Sequence, residues 1–158
     1  PDQSVRQVIL ENLWDEEHGP DNHVELWLRF CDALGLNREE VRQGQPCDET
    51  KALVQAYTQL TSEGPLAAGA SALYAYESQV PQVSRTKIDG LKRYYGIEDD
   101  RSISFFTVHE TLDQEHSQSE RQMVMALCET SEDESAALDA TQVATLSLWN
   151  FLDAMPTE

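Results

Sequence analysis

The stretch FFTVHETLDQEHSQ, residues 105–118, decides how the rest of the chain is interpreted. It contains His109, Asp113 and His116, separated by four and then three residues. Such offsets return to one face of an α-helix, which has about 3.6 residues per turn. Two imidazoles and a carboxylate on one stripe favour a borderline divalent metal, above all iron or manganese. The alternative is a polar helix face that happens to contain histidines.

A second window, ENLWDEEHGPDNHVELW at residues 11–27, holds the other two of the chain's four histidines. Within this window Glu16 precedes His23 by seven residues. That spacing is two helical turns, so the two side chains share a face if one helix continues through Gly19 and Pro20. The window is therefore a second candidate for a carboxylate–imidazole pair.

A third carboxylate stands out because of its surroundings. Glu77 is the charged residue in the otherwise apolar run LAAGASALYAYESQV, residues 66–80. A charge on an apolar helix face is costly unless it is paired or bound to a metal. Two helices that carry carboxylates and histidines, together with an inward glutamate, resemble the dinuclear iron or manganese sites of helical bundles.

The composition limits the class of protein and its partners. A chain of 158 residues is long enough for a real core and predicts a single domain over residues 1–158. Its 40% apolar and 25% charged residues are ordinary for a soluble globular protein. The formal net charge of −18, from 29 acidic and 11 basic residues, argues against nucleic acid or an anionic membrane as a partner.

The cysteines and the apolar runs indicate a compartment. Cys31, Cys47 and Cys128 are widely spaced and form no CxxC pair. This pattern predicts reduced thiols in a cytoplasmic protein, with neither a disulfide framework nor a zinc ribbon. No apolar run has the length of a membrane span, and no signal peptide is visible at the start.

Apolar residues at helical spacing predict an all-α chain. Helices are predicted over residues 4–16, 24–34, 49–60, 66–80, 83–94, 103–128 and 136–152, with a short helical turn after Asn37. The segment 103–128 can hold one long helix or two. Asp48 is the predicted N-cap of the helix at residues 49–60, and Pro81 is predicted to end the helix at residues 66–80. Residues 129–134 are predicted to form an exposed acidic loop. Five aromatic residues are predicted to be core: Trp14, Trp27, Phe30, Phe105 and Phe106.

Three segments together resemble the haem-oxygenase-like diiron oxidases. They are DEEHGPDNHVELWLRFCDALG at residues 15–35, YAYESQVP at residues 74–81 and HETLDQEH at residues 109–116. The resemblance covers almost the whole chain and extends to the pyrroloquinoline-quinone-synthesis and thiaminase folds. It implies an all-α, haem-oxygenase-like helical bundle that binds two irons, or manganese and iron, with dioxygen as co-substrate. The implied metal ligands are Glu16, His23, Glu77, His109, Asp113 and His116.

The same resemblance suggests catalytic residues and a reaction. It marks Lys87, in VSRTKIDGL, as a lysine near the metal site, and Tyr76 as the aromatic residue beside Glu77. It favours the subgroup that forms para-aminobenzoate for folate synthesis and consumes its own tyrosine and lysine. Family members usually begin with further helices, whereas this chain opens at the first ligand segment, so the expected fold is without the family's first helices. Glu17 and Glu110 are candidates to orient the ligands, because they are neighbours in sequence.

Two other functions stay open at this point. One is a diiron oxidase that acts on an external fatty acid or amino acid. The other is an acidic helical interaction protein that binds a partner helix and uses metal only structurally. For the enzyme, the expected substrate is a small molecule or the protein's own side chains, and an external reductant is expected as well. Neither nucleic acid nor a membrane is an expected partner. A homodimer is left open.

Overall fold

The computed structural model describes residues 3–155, and every regular element in this range is helical. The helices are α1 Gln3–Glu17, α2 His23–Ala33, α3 Arg38–Gln43, α4 Asp48–Ser62, α5 Leu66–Glu77, α6 Val80–Gly90, α7 Asp100–Leu127 and α8 Ser131–Asp153. A π-helical turn, Leu91–Tyr95, follows α6 directly. The all-α prediction is confirmed. Among these helices, none combines the length and the apolar character that a membrane span requires.

The residue contacts divide the chain into two compact units, each built from two separate segments. Of the described residues, the first unit contains 3–44 and 79–116, and the second contains 45–78 and 117–155. Helix α7 contributes to both, because the division falls after His116. The prediction of one domain over residues 1–158 is not tested by this division and stays a prediction.

In the first unit, α2 is positioned by its cap and by an aromatic cluster. The Asn22 side chain accepts a hydrogen bond from the Glu25 amide at 3.0 Å, which supplies an acceptor for an amide at the start of the helix. The Trp27 ring packs edge-on against Phe105 of α7, with centroids 5.0 Å apart, and Phe30 packs on Phe106 at the same distance. These contacts hold the first part of α7 against α2.

The predicted aromatic core is only partly correct. Phe106 is buried, and Phe30 and Phe105 are partly buried. Trp14 was expected in the core but is 60% exposed, because it lies on an outer face of α1 and stacks on His18 at 3.9 Å. Trp27 has one face in the aromatic cluster and another in solvent.

A charged network joins three elements of the first unit. Arg38 of α3 donates to Glu25 and to Asp32 of α2, each at 2.8 Å, and Arg101 of α7 donates to Asp32 at 2.9 Å. Hydrogen bonds from Arg38 first, and then from Arg101, hold the pKa of Asp32 well below its usual range. Asp32 therefore remains charged at neutral pH and ties α3 and the first turn of α7 to α2.

The second unit is packed through small side chains. Helix α5 buries Ala67, Ala68, Gly69, Ala70, Ser71 and Ala72, and α8 buries Ala137, Ala140 and Ala144. A Cβ atom added to Gly69 would lie 3.3 Å from both the Leu60 carbonyl oxygen and the Thr61 Cα of α4. Helices α4 and α5 therefore approach each other closely along this small-residue run.

Three predicted boundaries are wrong for local reasons. Helix α5 ends at Glu77, and Pro81 lies in the first turn of α6, where a missing amide proton costs no helical hydrogen bond. Cys47, not Asp48, is the N-cap residue of α4. The acidic segment starts α8 and is not a loop, because Thr130 and Asp133 form a reciprocal capping box and the acidic first turn suits the positive end of the helix dipole.

Other boundaries agree with the sequence more closely. The segment predicted as one helix or two is the single helix α7. Asn37 caps α3 by accepting from the amides of Glu39 and Glu40. Gly35 and Gly96 follow their helices with φ of 75° and 68°, a left-handed conformation that glycine adopts without steric cost.

Candidate metal centre

Three elements of the first unit bring Glu16, His23 and His109 together. Each offers one ligand atom, and these three atoms all lie within 4.8 Å of one another. Glu16 is in the last turn of α1, His23 begins α2, and His109 is in α7. His23 is buried, and its ring centroid is 4.4 Å from that of His109.

Glu16 and His23 lie on different helices, α1 and α2. Their proximity therefore does not come from a two-turn spacing within one helix. Helix α1 ends at Glu17, and Gly19 adopts a left-handed φ of 81° before Pro20. This break redirects the chain, and α2 starts at His23 itself. The His23 Nδ1 atom consequently lies 2.7 Å from a Glu16 carboxylate oxygen across the turn.

The orientation of His109 is set by its own helix. Its Nδ1 atom lies 2.6 Å from the carbonyl oxygen of Phe105, one turn earlier. A carbonyl oxygen can only accept, so the Nδ1–H group donates and the Nε2 atom carries the lone pair in the neutral ring. Histidine ligands of metals are commonly held by such a hydrogen bond through the other ring nitrogen.

The pKa shifts of Glu16 and His109 favour the protonation states in which these side chains bind metals. Burial is the largest influence on Glu16 and would raise its pKa, but its hydrogen bond with His23 and the neighbouring imidazoles together lower it. Burial, reinforced by the charge of His23, lowers the pKa of His109. The Glu16 hydrogen bond raises the pKa of His23, although burial acts to lower it. At neutral pH Glu16 is therefore a carboxylate and His109 a neutral imidazole.

Asp113 and His116 continue the same helix beyond His109. The Asp113 side chain is buried, and one of its oxygens lies 3.7 Å from Nδ1 of His116. The other ring nitrogen of His116, Nε2, lies 3.1 Å from a carboxylate oxygen of Asp15 in α1. These positions agree with the helical spacing that singled out the stretch at residues 105–118.

The remaining candidates are carried by α5 and α6. Glu77 is the last residue of α5, in the second unit, and its role as a ligand stays a prediction. Tyr76 precedes it and is half-exposed, with its ring edge-on to Tyr57 at 6.3 Å. Lys87 is exposed on α6 of the first unit. Their catalytic roles also stay predictions.

The orienting roles expected of Glu17 and Glu110 stay predictions. Glu110 pairs with Arg85 of α6 at 2.8 Å, and Glu17 is exposed at the end of α1. A carboxylate outside the expected set, that of Asp15, lies 3.1 Å from Nε2 of the candidate ligand His116. The available signal was the run Asp15-Glu16-Glu17, in which neighbouring residues point in different directions around the helix.

The donor set in the first unit fits a divalent metal ion. Imidazole nitrogens and carboxylate oxygens together suit iron or manganese better than calcium, which takes oxygen ligands, or a structural zinc, which usually has thiolates. Buried carboxylates such as Asp113 carry a desolvation cost that a bound cation offsets. His18 stacks on Trp14, apart from this set.

The comparisons with known proteins agree with this donor chemistry. Residues 1–149 match a protein family described as iron-containing redox enzymes. The chain is 43% identical over 154 residues to a 4-aminobenzoate synthase of Nitrosomonas europaea. The aligned residues make up 98% of this chain and 63% of that protein. It is 39% identical over 153 residues to a 4-aminobenzoate synthase of Chlamydia trachomatis, covering 97% of this chain and 65% of the relative.

A more distant relative is a pyrroloquinoline-quinone synthase of Ruegeria pomeroyi, 30% identical over 164 residues, with 98% of this chain and 65% of that protein covered. The chain thus spans a little under two thirds of the length of these curated relatives. The family match confirms the resemblance carried by the segments around Glu16, Glu77 and His109. A helical fold, an iron-type donor cluster and this match agree, and the chain belongs to the haem-oxygenase-like family of iron-containing redox enzymes.

Proposed function

We propose that this chain carries the diiron core of a dioxygen-dependent oxidoreductase that forms 4-aminobenzoate. The observation that carries the proposal is the convergence of Glu16, His23 and His109 from three helical elements onto one small volume. The names of the relatives at 39–43% identity support the choice of product. The reduced cysteines and the net charge of −18 support a cytoplasmic enzyme without a nucleic-acid partner.

The proposed ligands form two sets, one for each metal ion, and α7 contributes to both. Glu16, His23 and His109 hold one metal ion, and Asp113 and His116 contribute to the second. The resemblance adds Glu77 to the ligand set. When bound, two irons, or manganese and iron, supply the electrons that reduce dioxygen, and an external reductant restores them.

The chain's own residues prepare these ligands. The Phe105 carbonyl orients the His109 ring, and the aromatic contact between Trp27 and Phe105 fixes that part of α7 against α2. Glu16 is ionised at neutral pH because neighbouring imidazoles lower its pKa. A ligand pair in the correct charge state and orientation needs little rearrangement when the metal enters.

The nitrogen of the product is proposed to come from Lys87. This residue follows Glu77 by ten positions and lies on α6, the next helix of the chain. Its exposure leaves the amine accessible for reaction. Tyr76, adjacent to Glu77, is the proposed aromatic side chain beside the metal ligand. A lysine that is consumed limits each chain to a single product molecule.

The decisive experiment measures product per chain. The full-length protein, given iron, a reductant and dioxygen, should form less than one 4-aminobenzoate per chain, and mass spectrometry should find Lys87 altered. Lys87→Arg should abolish product while iron content is retained. Lys92→Arg is the matched control, because Lys92 is an exposed lysine nearby in sequence that pairs with Glu98 at 3.1 Å.

Other results would change the assignment. Many turnovers per chain with Lys87 intact would favour the oxidase of an external fatty-acid or amino-acid substrate. Failure to complement a strain that lacks para-aminobenzoate synthesis, with iron bound and oxygen consumed, would reject the product. Absence of iron and of oxygen consumption would favour the acidic interaction protein.

A further inference from the structure

A carboxylate outside the ligand set contacts one of the proposed ligands. The Oδ2 atom of Asp15 lies 3.1 Å from Nε2 of His116, although the two residues are 101 positions apart. Both belong to the first unit, Asp15 on the last turns of α1 and His116 on α7. The His116 side chain is 12% exposed and that of Asp15 is 43% exposed, so Asp15 covers the outer side of an enclosed ring.

This contact determines which nitrogen of His116 can bind a metal. A carboxylate only accepts hydrogen bonds, so the nitrogen that faces Asp15 carries the proton in the neutral imidazole. The lone pair is then on Nδ1, the atom that lies 3.7 Å from a carboxylate oxygen of Asp113. That separation exceeds a hydrogen bond but lets both atoms approach one cation.

The two histidines of α7 are thus held in opposite ways. His109 donates from Nδ1 to the Phe105 carbonyl and presents Nε2. His116 donates from Nε2 to Asp15 and presents Nδ1. The helix face alone does not distinguish these tautomers, since both rings project from the same stripe.

We propose that Asp15 is a positioning residue of the metal centre, which holds His116 as the Nε2–H tautomer and directs its Nδ1 atom to the ion shared with Asp113. The inference rests on the proposed diiron function. A carboxylate behind a ligand histidine orients the ring and raises its basicity, and loss of such a partner commonly weakens metal binding by about 10- to 100-fold.

The test compares two substitutions of Asp15 in the full-length protein. Asp15→Ala removes the acceptor and should weaken binding of the second ferrous ion by about 10- to 100-fold, measured anaerobically with iron alone as the probe. Asp15→Asn keeps an oxygen acceptor without the charge and should retain binding within several-fold of wild type. Glu11→Ala is the control, because it removes the same charge from an exposed position one turn earlier on α1 and should leave both ions in place.

A second readout reports the tautomer directly. Nitrogen-15 chemical shifts of the metal-free protein at neutral pH should show His116 protonated on Nε2 and His109 on Nδ1. Asp15→Ala should change the His116 pattern and leave that of His109 as it was. Circular dichroism and thermal unfolding of the metal-free variants show whether α1 remains folded.

The possible failures are distinguishable. If wild type binds two ions and Asp15→Ala binds them equally well, the role of Asp15 is rejected while the diiron centre stands. If Asp15→Asn loses metal as severely as Asp15→Ala, Asp15 is itself a ligand and the positioning role is overturned. If wild type binds no iron at all, the proposed function and the role of Asp15 both fail.

Discussion

The two units bury different kinds of surface. In the first, His23 and Asp113 are buried polar residues, and their neighbours are aromatic rings and charged groups from several helices. In the second, α5 and α8 bury mainly alanine and glycine, with Glu120 of α7 as a wholly buried carboxylate. His23 and Asp113 of the first unit have specific side-chain neighbours, whereas small-residue packing in the second unit depends on how closely backbones approach.

The largest expected effect is the loss of metal from the first unit. His109→Ala or Asp113→Ala should each reduce the iron content of the loaded protein from two ions to one or fewer, because each removes a proposed ligand. Elemental analysis after gel filtration measures this. His18→Ala is the matched control, since His18 stacks on Trp14 and should keep both ions. Equal losses for His18→Ala and His23→Ala would show that the cluster was wrongly assigned.

The second unit should respond to added volume instead. Ala72 of α5 is 0% exposed, so Ala72→Leu forces extra methyl groups into close-packed helices and should lower the free energy of unfolding by about 1–3 kcal/mol. Chemical denaturation measures the change. Ala52→Leu adds the same volume at an exposed position on α4 and should change stability by less than about 0.5 kcal/mol. A tolerated Ala72→Leu would contradict the close packing.

A smaller effect is expected at the start of α8. Thr130 accepts from the Asp133 amide at 3.2 Å, while the Asp133 carboxylate accepts from the Thr130 amide at 3.0 Å. Thr130→Ala should therefore cost about 1 kcal/mol of unfolding free energy. Ser135→Ala, at an exposed position inside the helix, is the comparison and should be close to neutral. Equal costs for the two variants would mean that the capping box does not stabilise α8.

The smallest effect concerns the charged network of the first unit and depends on pH. The arginine partners lower the pKa of Asp32, so its charge stabilises the folded state above the ordinary aspartate pKa of about 4. That stabilisation should diminish as the pH falls below about 4 towards the lowered folded-state pKa. Asp32→Asn should therefore lower the melting temperature slightly at pH 7, with the difference from wild type shrinking in acid.

Asp48→Asn is the control for this pH dependence. It removes an exposed pair with Lys51 in the second unit, and such surface pairs contribute little to stability. A difference between wild type and Asp32→Asn that grows on acidification would contradict the proposed sign.

Local sequence was sufficient to predict most helices and the stripe of candidate ligands on one helix. The offsets among His109, Asp113 and His116 predict one stripe because helical geometry repeats regardless of the surroundings. The left-handed glycines Gly35 and Gly96 mark helix ends for an equally local reason. The spacing of Thr130 and Asp133 also fits a capping box, so the predicted acidic loop contains a local signal for a helix start.

The all-α class, the family resemblance and the stripe of candidate ligands on α7 follow from the sequence alone, because they depend on residues a few positions apart or on whole motifs. Tertiary structure decided that Glu16 meets His23 across the break at Gly19, and that Asp15 rather than Glu17 reaches His116. The direction in which a short side chain points after a turn depends on the packing of both helices. Contacts between residues 101 positions apart are therefore set by the folded arrangement of α1 and α7, which no local spacing encodes.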